Sequence, residues 1–96
     1  MSRTVLELTV NNHPGVMSHV AGLFARRAFN IEGILCGALP VGERSRMFLL
    51  VKEDGRLSQL VRQLEKLHDV IVVRENRDCD GTLFERLDEF AAGKGW

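Results

Sequence analysis

The apolar residues of this 96-residue chain change their spacing along its length, and each change marks an element. Over residues 5–10 they alternate, with Leu6, Leu8 and Val10 on one side, which predicts a strand with one buried face. Val16, Val20, Leu23 and Phe24 then recur at helical spacing, and Arg26 and Arg27 suit the negative end of a helix dipole. The preceding Asn11-Asn12-His13-Pro14-Gly15 reads as a turn with an asparagine cap, and Phe29-Asn30 as the close of the helix. Residues 31–39 form a long apolar stretch halted by Pro40 and Gly42. Gly33 and Gly37 inside it predict a strand with a bulge or a close backbone approach. Residues 47–51 predict a third strand. Leu57, Leu60, Val61, Leu64 and Leu67 predict a second, amphipathic helix, and residues 70–73 a fourth strand buried on both faces.

The order β-α-β-β-α-β is the split βαβ arrangement of ferredoxin-like α+β domains. Right-handed crossovers then set both helices on one face of a four-stranded antiparallel sheet. The domain is expected over residues 4–76, followed by a shorter, more polar tail at 77–96. In that tail Thr82-Leu83-Phe84-Glu85 matches a capping box, and Leu83, Leu87 and Phe90 line one face of a short helix ending near Gly93. Ile34, Cys36, Ala38, Phe48, Leu50, Ile71 and Val73 are more apolar residues than one sheet face accommodates, so several must point away from the helices. A bare apolar face is a sticky patch. A second copy, a partner or the C-terminal helix is expected to cover it, and the chain is expected to oligomerise.

Composition narrows the function. Thirteen Lys and Arg balance thirteen Asp and Glu, so the charge footprint of a nucleic-acid or anionic-membrane binder is missing. No apolar run approaches the roughly 18 residues that span a bilayer. The strand pattern starts so near Met1 that no signal peptide is expected. Cys36 lies in an apolar stretch, as a small core hydrophobe, and Cys79 in an acidic turn. Both are expected to be free thiols of a cytoplasmic protein. A chain of this size buries only about 60–65% of its unfolded surface, which again favours association.

Few residues could carry chemistry. Phe48 is the only aromatic in a predicted strand, which speaks against stacking RNA bases. The first loop lacks the two cysteines of a metallochaperone. His13, His19 and His68 have no metal-pair spacing and read as surface or capping residues. No glycine-rich phosphate loop opens a helix, and no nucleophile, base and oxyanion site assemble. The chain alone is therefore expected to be non-catalytic. The first loop stands out instead. Gly15 allows a ligand close to the backbone, and the helix start presents unpaired N–H groups suited to a carboxylate. Asn12 offers both a donor and an acceptor to a zwitterion, while Val16 and Met17 could accept a small aliphatic side chain. The plainer reading of the same residues is a helix cap and nothing more.

Three phrases tip the balance: Asn12-His13-Pro14-Gly15-Val16-Met17, Gly22-Leu23-Phe24-Ala25-Arg26-Arg27 and Phe29-Asn30-Ile31-Glu32-Gly33-Ile34. Together they closely resemble the small regulatory subunit of acetohydroxyacid (acetolactate) synthase, a family built on the amino-acid-binding ACT domain. The resemblance runs from about Val5 to Arg74, and the chain's brevity matches the short isozyme I type. It implies a homodimer of side-by-side ACT domains that binds a branched-chain amino acid, usually valine, at the interface. One wall would be Asn12, His13, Pro14, Gly15, Val16 and Met17 of one chain; the other would be Asn30 and Ile31 of its partner. Pro14 has no N–H, so the carboxylate would depend on those of Gly15, Val16 and Met17. The resemblance also implies a catalytic large subunit holding thiamine diphosphate, Mg2+ and FAD, with this chain activating it and conferring feedback inhibition. A free-standing amino-acid sensor and a ligand-free dimerisation module are the rivals.

Overall fold

In the computed structural model the described residues are 3–76, together with Phe84 and Arg86. They form β1 (Arg3–Asn11), α1 (Val16–Arg26), β2 (Ile31–Ala38), β3 (Arg44–Lys52), α2 (Leu57–Glu65) and β4 (Val70–Asn76). Every strand pairing is antiparallel, and the sheet runs β2-β3-β1-β4. This is the predicted βαββαβ order.

Both helices cover one face of the sheet. Val16, Val20, Leu23 and Phe24 of α1 and Leu57, Leu60 and Leu64 of α2 join Leu6, Leu8, Val10, Met47, Leu49 and Val51 in one core. The alternating strand pattern makes this possible, because residues two apart share a face. Burying a leucine such as Leu60 or Leu64 stabilises the fold by roughly 1.5–3 kcal/mol each.

The helix ends follow from local chemistry. After Arg26 the chain turns through Ala28, whose φ of 58° lies in the left-handed region. The Ala28 N–H donates to the Ala25 carbonyl, and the Phe29 N–H donates to the Phe24 carbonyl at 2.8 Å. That pattern is a Schellman stop with alanine in the glycine place. Its usual hydrophobic contact is made by Phe24 and Phe29, edge to face with ring centroids 6.3 Å apart.

Strand β2 carries the predicted bulge. Ile31 pairs with Val51 and Gly33 with Leu50, leaving Glu32 as the extra residue. The Glu32 carboxylate meets Arg3 at 3.5 Å and Lys52 at 3.6 Å. Gly33 is also closely approached, by a side chain: a Cβ there would stand 2.5 Å from Cδ1 of Phe84. Gly33, Leu50 and Val5 form a row of cross-strand partners on the face away from the helices. Phe84 therefore packs its ring at the end of that row, where Leu50 and Val5 are buried. Leu83, Leu87 and Phe90, the expected stripe of a tail helix, lie outside the described residues.

Two expectations are corrected by the strand order. β4 is an edge strand, so Ile71 and Val72 are 40% and 44% exposed, and the strand is not buried on both faces. Cys36 is no core hydrophobe. It pairs with Met47 on the helix side of the sheet, but β2 is the other edge, and the thiol is exposed. Ile34 and Ala38 owe their exposure to the same edge, since their partners Leu49 and Ser45 are on the helix side. Phe48 and Leu50 do point away from the helices, as their alternation with Met47 and Leu49 requires. Among the described residues no helix is long and apolar enough to cross a membrane.

Candidate functional site

The loop between β1 and α1 is tied down on both sides. At its start the Asn11 N–H donates to the Asp69 carbonyl at 2.8 Å, and Asn11 Nδ2 reaches Asp69 Oδ1 at 3.4 Å. One residue on, the Asn12 N–H donates to the Glu43 carbonyl at 2.8 Å. These bonds engage the segments that enter β4 and β3, so the loop is held by two strands beyond its own. Neither asparagine caps α1, contrary to the sequence expectation. Gly15 takes the cap position with φ 90°, and no side chain bonds to the helix start. The Asn11 side chain is committed to Asp69 and the Asn12 backbone to Glu43, which places both before the helix start. The cap position is left to Gly15, the residue that can turn left-handed without strain.

Gly15 gives the site its shape. Nothing lies within 4 Å of where its Cβ would be, so the backbone is open to an incoming group. The Val16 N–H donates to the His13 carbonyl at 3.4 Å, and the His19 N–H to the Gly15 carbonyl at 3.0 Å. The N–H groups of Met17 and Ser18 meet no backbone acceptor among the described residues. No acidic residue in α1's own first turn offsets the positive end of the helix, which attracts an anion.

His13 stands beside this opening with both ring nitrogens engaged. Nδ1 faces the Pro14 carbonyl and Nε2 faces Asp69 Oδ2, each at 2.5 Å. Both contacts favour the doubly protonated ring. The Pro14 carbonyl is the larger cause and Asp69 adds to it, so the His13 pKa is raised above its ordinary 6.5. For Asp69, burial pushes the carboxyl pKa up, but hydrogen bonds from His13 and Asn11 outweigh it and hold the pKa below the usual range. His19 Nδ1 lies farther off, 3.8 Å from the same carboxylate.

The predicted site residues separate into three groups. Asn12, His13, Pro14, Gly15 and Met17 are exposed around the loop. Val16 turns its side chain into the core and contributes only backbone. Asn30 is exposed and Ile31 half-buried at the start of β2, beyond the far end of α1. An 11-residue helix spans roughly 16 Å, so one chain does not bring the two walls together. Sequence reasoning missed Asp69 and Ser18. Ser18 would follow from placing the helix start at Val16, but no local signal links Asp69 to a loop 58 residues earlier.

A family model for the AHAS small subunit-like ACT domain matches residues 6–72. The acetolactate synthase isozyme 1 small subunit of Escherichia coli (strain K12) is 54% identical over 86 residues, covering 90% of this chain and 88% of its own. The chain belongs to the acetolactate synthase small-subunit family. The acetolactate synthase small subunit of Mycobacterium bovis is 46% identical over 74 residues, which is 76% of this chain but 44% of that longer protein. The crystal structure of the acetolactate synthase small subunit from Thermotoga maritima aligns with a TM-score of 0.71 and 28% identity. That alignment covers 95% of this chain and 69% of the other. Membership makes this chain an ACT-domain small subunit of the regulatory, non-catalytic kind.

Proposed function

We propose that two copies of this acetolactate synthase small subunit pair through their β2 edges and bind a branched-chain amino acid, valine first among them, between them. Occupancy would then set the activity of the catalytic large subunit. The observation that carries this is the position of the two walls. Residues 12–17 and Asn30–Ile31 sit at opposite ends of α1 in one chain. Antiparallel pairing of two β2 strands would bring the Asn30 end of one copy beside the Ala38 end of the other. Ala38 pairs with Ser45, and Ser45 with Val10, so that end of the sheet carries the 12–17 loop.

The edges themselves favour this pairing. β4 also exposes Ile71 and Val72, but Arg74 and Glu75 put charge on it, a usual guard against strand addition. β2 has Glu32 as its one charge, carries two glycines, and exposes Ile34 and Cys36. A 440 Å3 hollow runs beside it, lined by residues that include Leu35, Ala38, Leu39 and Phe48.

The chemistry suits a zwitterion. The N–H groups of Met17 and Ser18 and the positive end of α1 would take the carboxylate. Asn12, whose side chain makes no hydrogen bond among the described residues, and the partner copy's Asn30 would take the ammonium group. Met17 and Ile31 would meet the aliphatic side chain. A ligand held by both copies favours one dimer geometry over another, and a coupling of about 1–3 kcal/mol suffices for strong regulation. Thiamine diphosphate, Mg2+ and FAD belong, in this reading, to the large subunit.

The test is calorimetric titration of the chain and of two variants with valine. Gly15→Asp puts a carboxylate at the anion site, and Asn30→His changes the opposite wall. Both positions are exposed. At Gly15 the left-handed φ of 90° strains an aspartate and costs some stability, but no core contact is lost. Loss of binding with unchanged circular dichroism is therefore expected for each. Unaltered titration in both variants would refute the site.

A further inference from the structure

We infer that the cleft between the end of α1 and the outer side of α2 docks an acidic segment of the catalytic large subunit. The inference rests on the regulatory-subunit reading above and names the surface through which the two chains meet. The cleft encloses 460 Å3 and is lined by Arg27, Arg56, Arg62 and Lys66, with Phe29 and Leu60 as its apolar residues. On a chain of zero net charge, four cations around one cleft are a local concentration of positive potential. Such a potential attracts and orients an anionic partner.

Arg56 is the fixed member. Its backbone N–H donates to Asp54 Oδ1 at 2.7 Å, and its Nη2 lies 3.3 Å from Asp54 Oδ2. Its Nη1 donates to the Arg27 carbonyl at 3.0 Å, and its guanidinium stands 4.5 Å above the Phe29 ring centre. Arg27, Arg62 and Lys66 meet no carboxylate among the described residues. One guanidinium is thus locked in place, and the three cations beside it have no counter-charge among the described residues.

The occupant follows from what the cleft offers. A nucleotide would want an aromatic face for its base and backbone N–H groups for its phosphates. The Phe29 ring has one face under Arg56 and meets Phe24 edge to face, leaving it poorly placed to stack a base. The N–H groups of Arg56 and Leu57 at the start of α2 are both taken by Asp54. Side-chain cations over an apolar floor remain, which suit the spaced carboxylates of a peptide. The position gives docking a consequence. Phe29 immediately precedes Asn30 and Ile31, so a segment pressing on the Arg56–Phe29 stack bears on one wall of the proposed effector site. By reciprocity, an effector there changes the affinity for the docked segment.

The experiment uses the full chain and the purified catalytic subunit. Arg62→Glu with Lys66→Glu reverses two exposed charges one turn apart and leaves the Arg56–Phe29 stack intact. The half-saturating concentration for activation should rise about tenfold or more, because like charges then face each other. That of the unaltered chain should also rise with salt, while valine titration of the double variant stays unchanged. An unchanged half-saturation overturns the inference. So does binding of inorganic triphosphate that the double variant loses while it still associates normally, since the cleft would then serve a phosphate ligand. Valine binding by an unaltered chain that activates no catalytic subunit would overturn both this inference and the regulatory reading. Normal activation by both proteins would overturn the docking surface alone.

Discussion

His13 illustrates how one residue can stiffen a binding loop. Its cation is held by the Pro14 carbonyl and by Asp69, so its folded pKa is raised above 6.5. The stability it contributes is therefore complete below its unfolded pKa and is lost as pH rises through the folded value. Asp69 behaves oppositely. Its pKa is lowered from 3.8, so its contribution is present above that value and is lost as pH falls through the lower folded one. The tie is at full strength in mildly acid solution and loosens toward alkaline pH. An NMR titration should place His13 above 6.5, and Asp69→Asn should lower that value without removing the Pro14 contribution. A His13 pKa at or below 6.5 in the unaltered chain would contradict this. Ala28 is the second telling residue, an alanine held at φ 58° where helices usually stop on glycine. Ala28→Gly should stabilise the chain by up to about 1 kcal/mol, seen as a higher Tm. An unchanged or lower Tm would show that the turn carries no strain. Gly15 was legible in the sequence because glycine before a helical pattern signals a special backbone. Asp69 was not, because only the folded sheet brings it to the loop.

Among the elements, β2 was the best anticipated and β4 the worst. The glycines of β2 announced a bulge or a close backbone approach; the bulge is found beside Gly33, and the Phe84 side chain stands against Gly33 itself. The run Val70-Ile71-Val72-Val73 suggested burial on both faces, yet strand order puts it at an edge, and strand order is not written in local hydrophobicity. Phe84 was likewise missed as a contact, because the helical pattern of the tail drew attention to Leu83, Leu87 and Phe90. Its ring rests where a Gly33 side chain would be, and this contact predicts a specific coupling. Gly33→Ala should lower Tm in the unaltered chain and have little effect when Phe84 is already alanine. The coupling energy should be on the order of 1 kcal/mol. Equal effects in the two backgrounds would mean that Phe84 does not cover the sheet in solution.

At the scale of the whole molecule, the surplus of apolar strand residues has two outlets. Part of it lies on the face away from the helices, where Phe84 meets Gly33 and the Leu50–Val5 row is buried. The rest lies along the two edges: Ile71 and Val72 are exposed on β4, and Ile34 and Cys36 on β2, beside backbone groups that no strand among the described residues pairs. Ile34→Lys charges that edge without touching the core and should convert a dimer into a monomer in analytical ultracentrifugation. A dimer that survives the change would mean that the copies meet elsewhere. The dimer matters because the proposed effector site is split between two copies, with Gly15 on one wall and Asn30 on the other. The most direct measurement is isothermal titration of the full chain with valine, leucine and isoleucine, repeated with Gly15→Asp. Saturable binding of at least one of the three, valine foremost, and its loss in Gly15→Asp is the predicted result. No binding of any of them, or equal binding by the variant, would contradict the effector site at the β1–α1 loop.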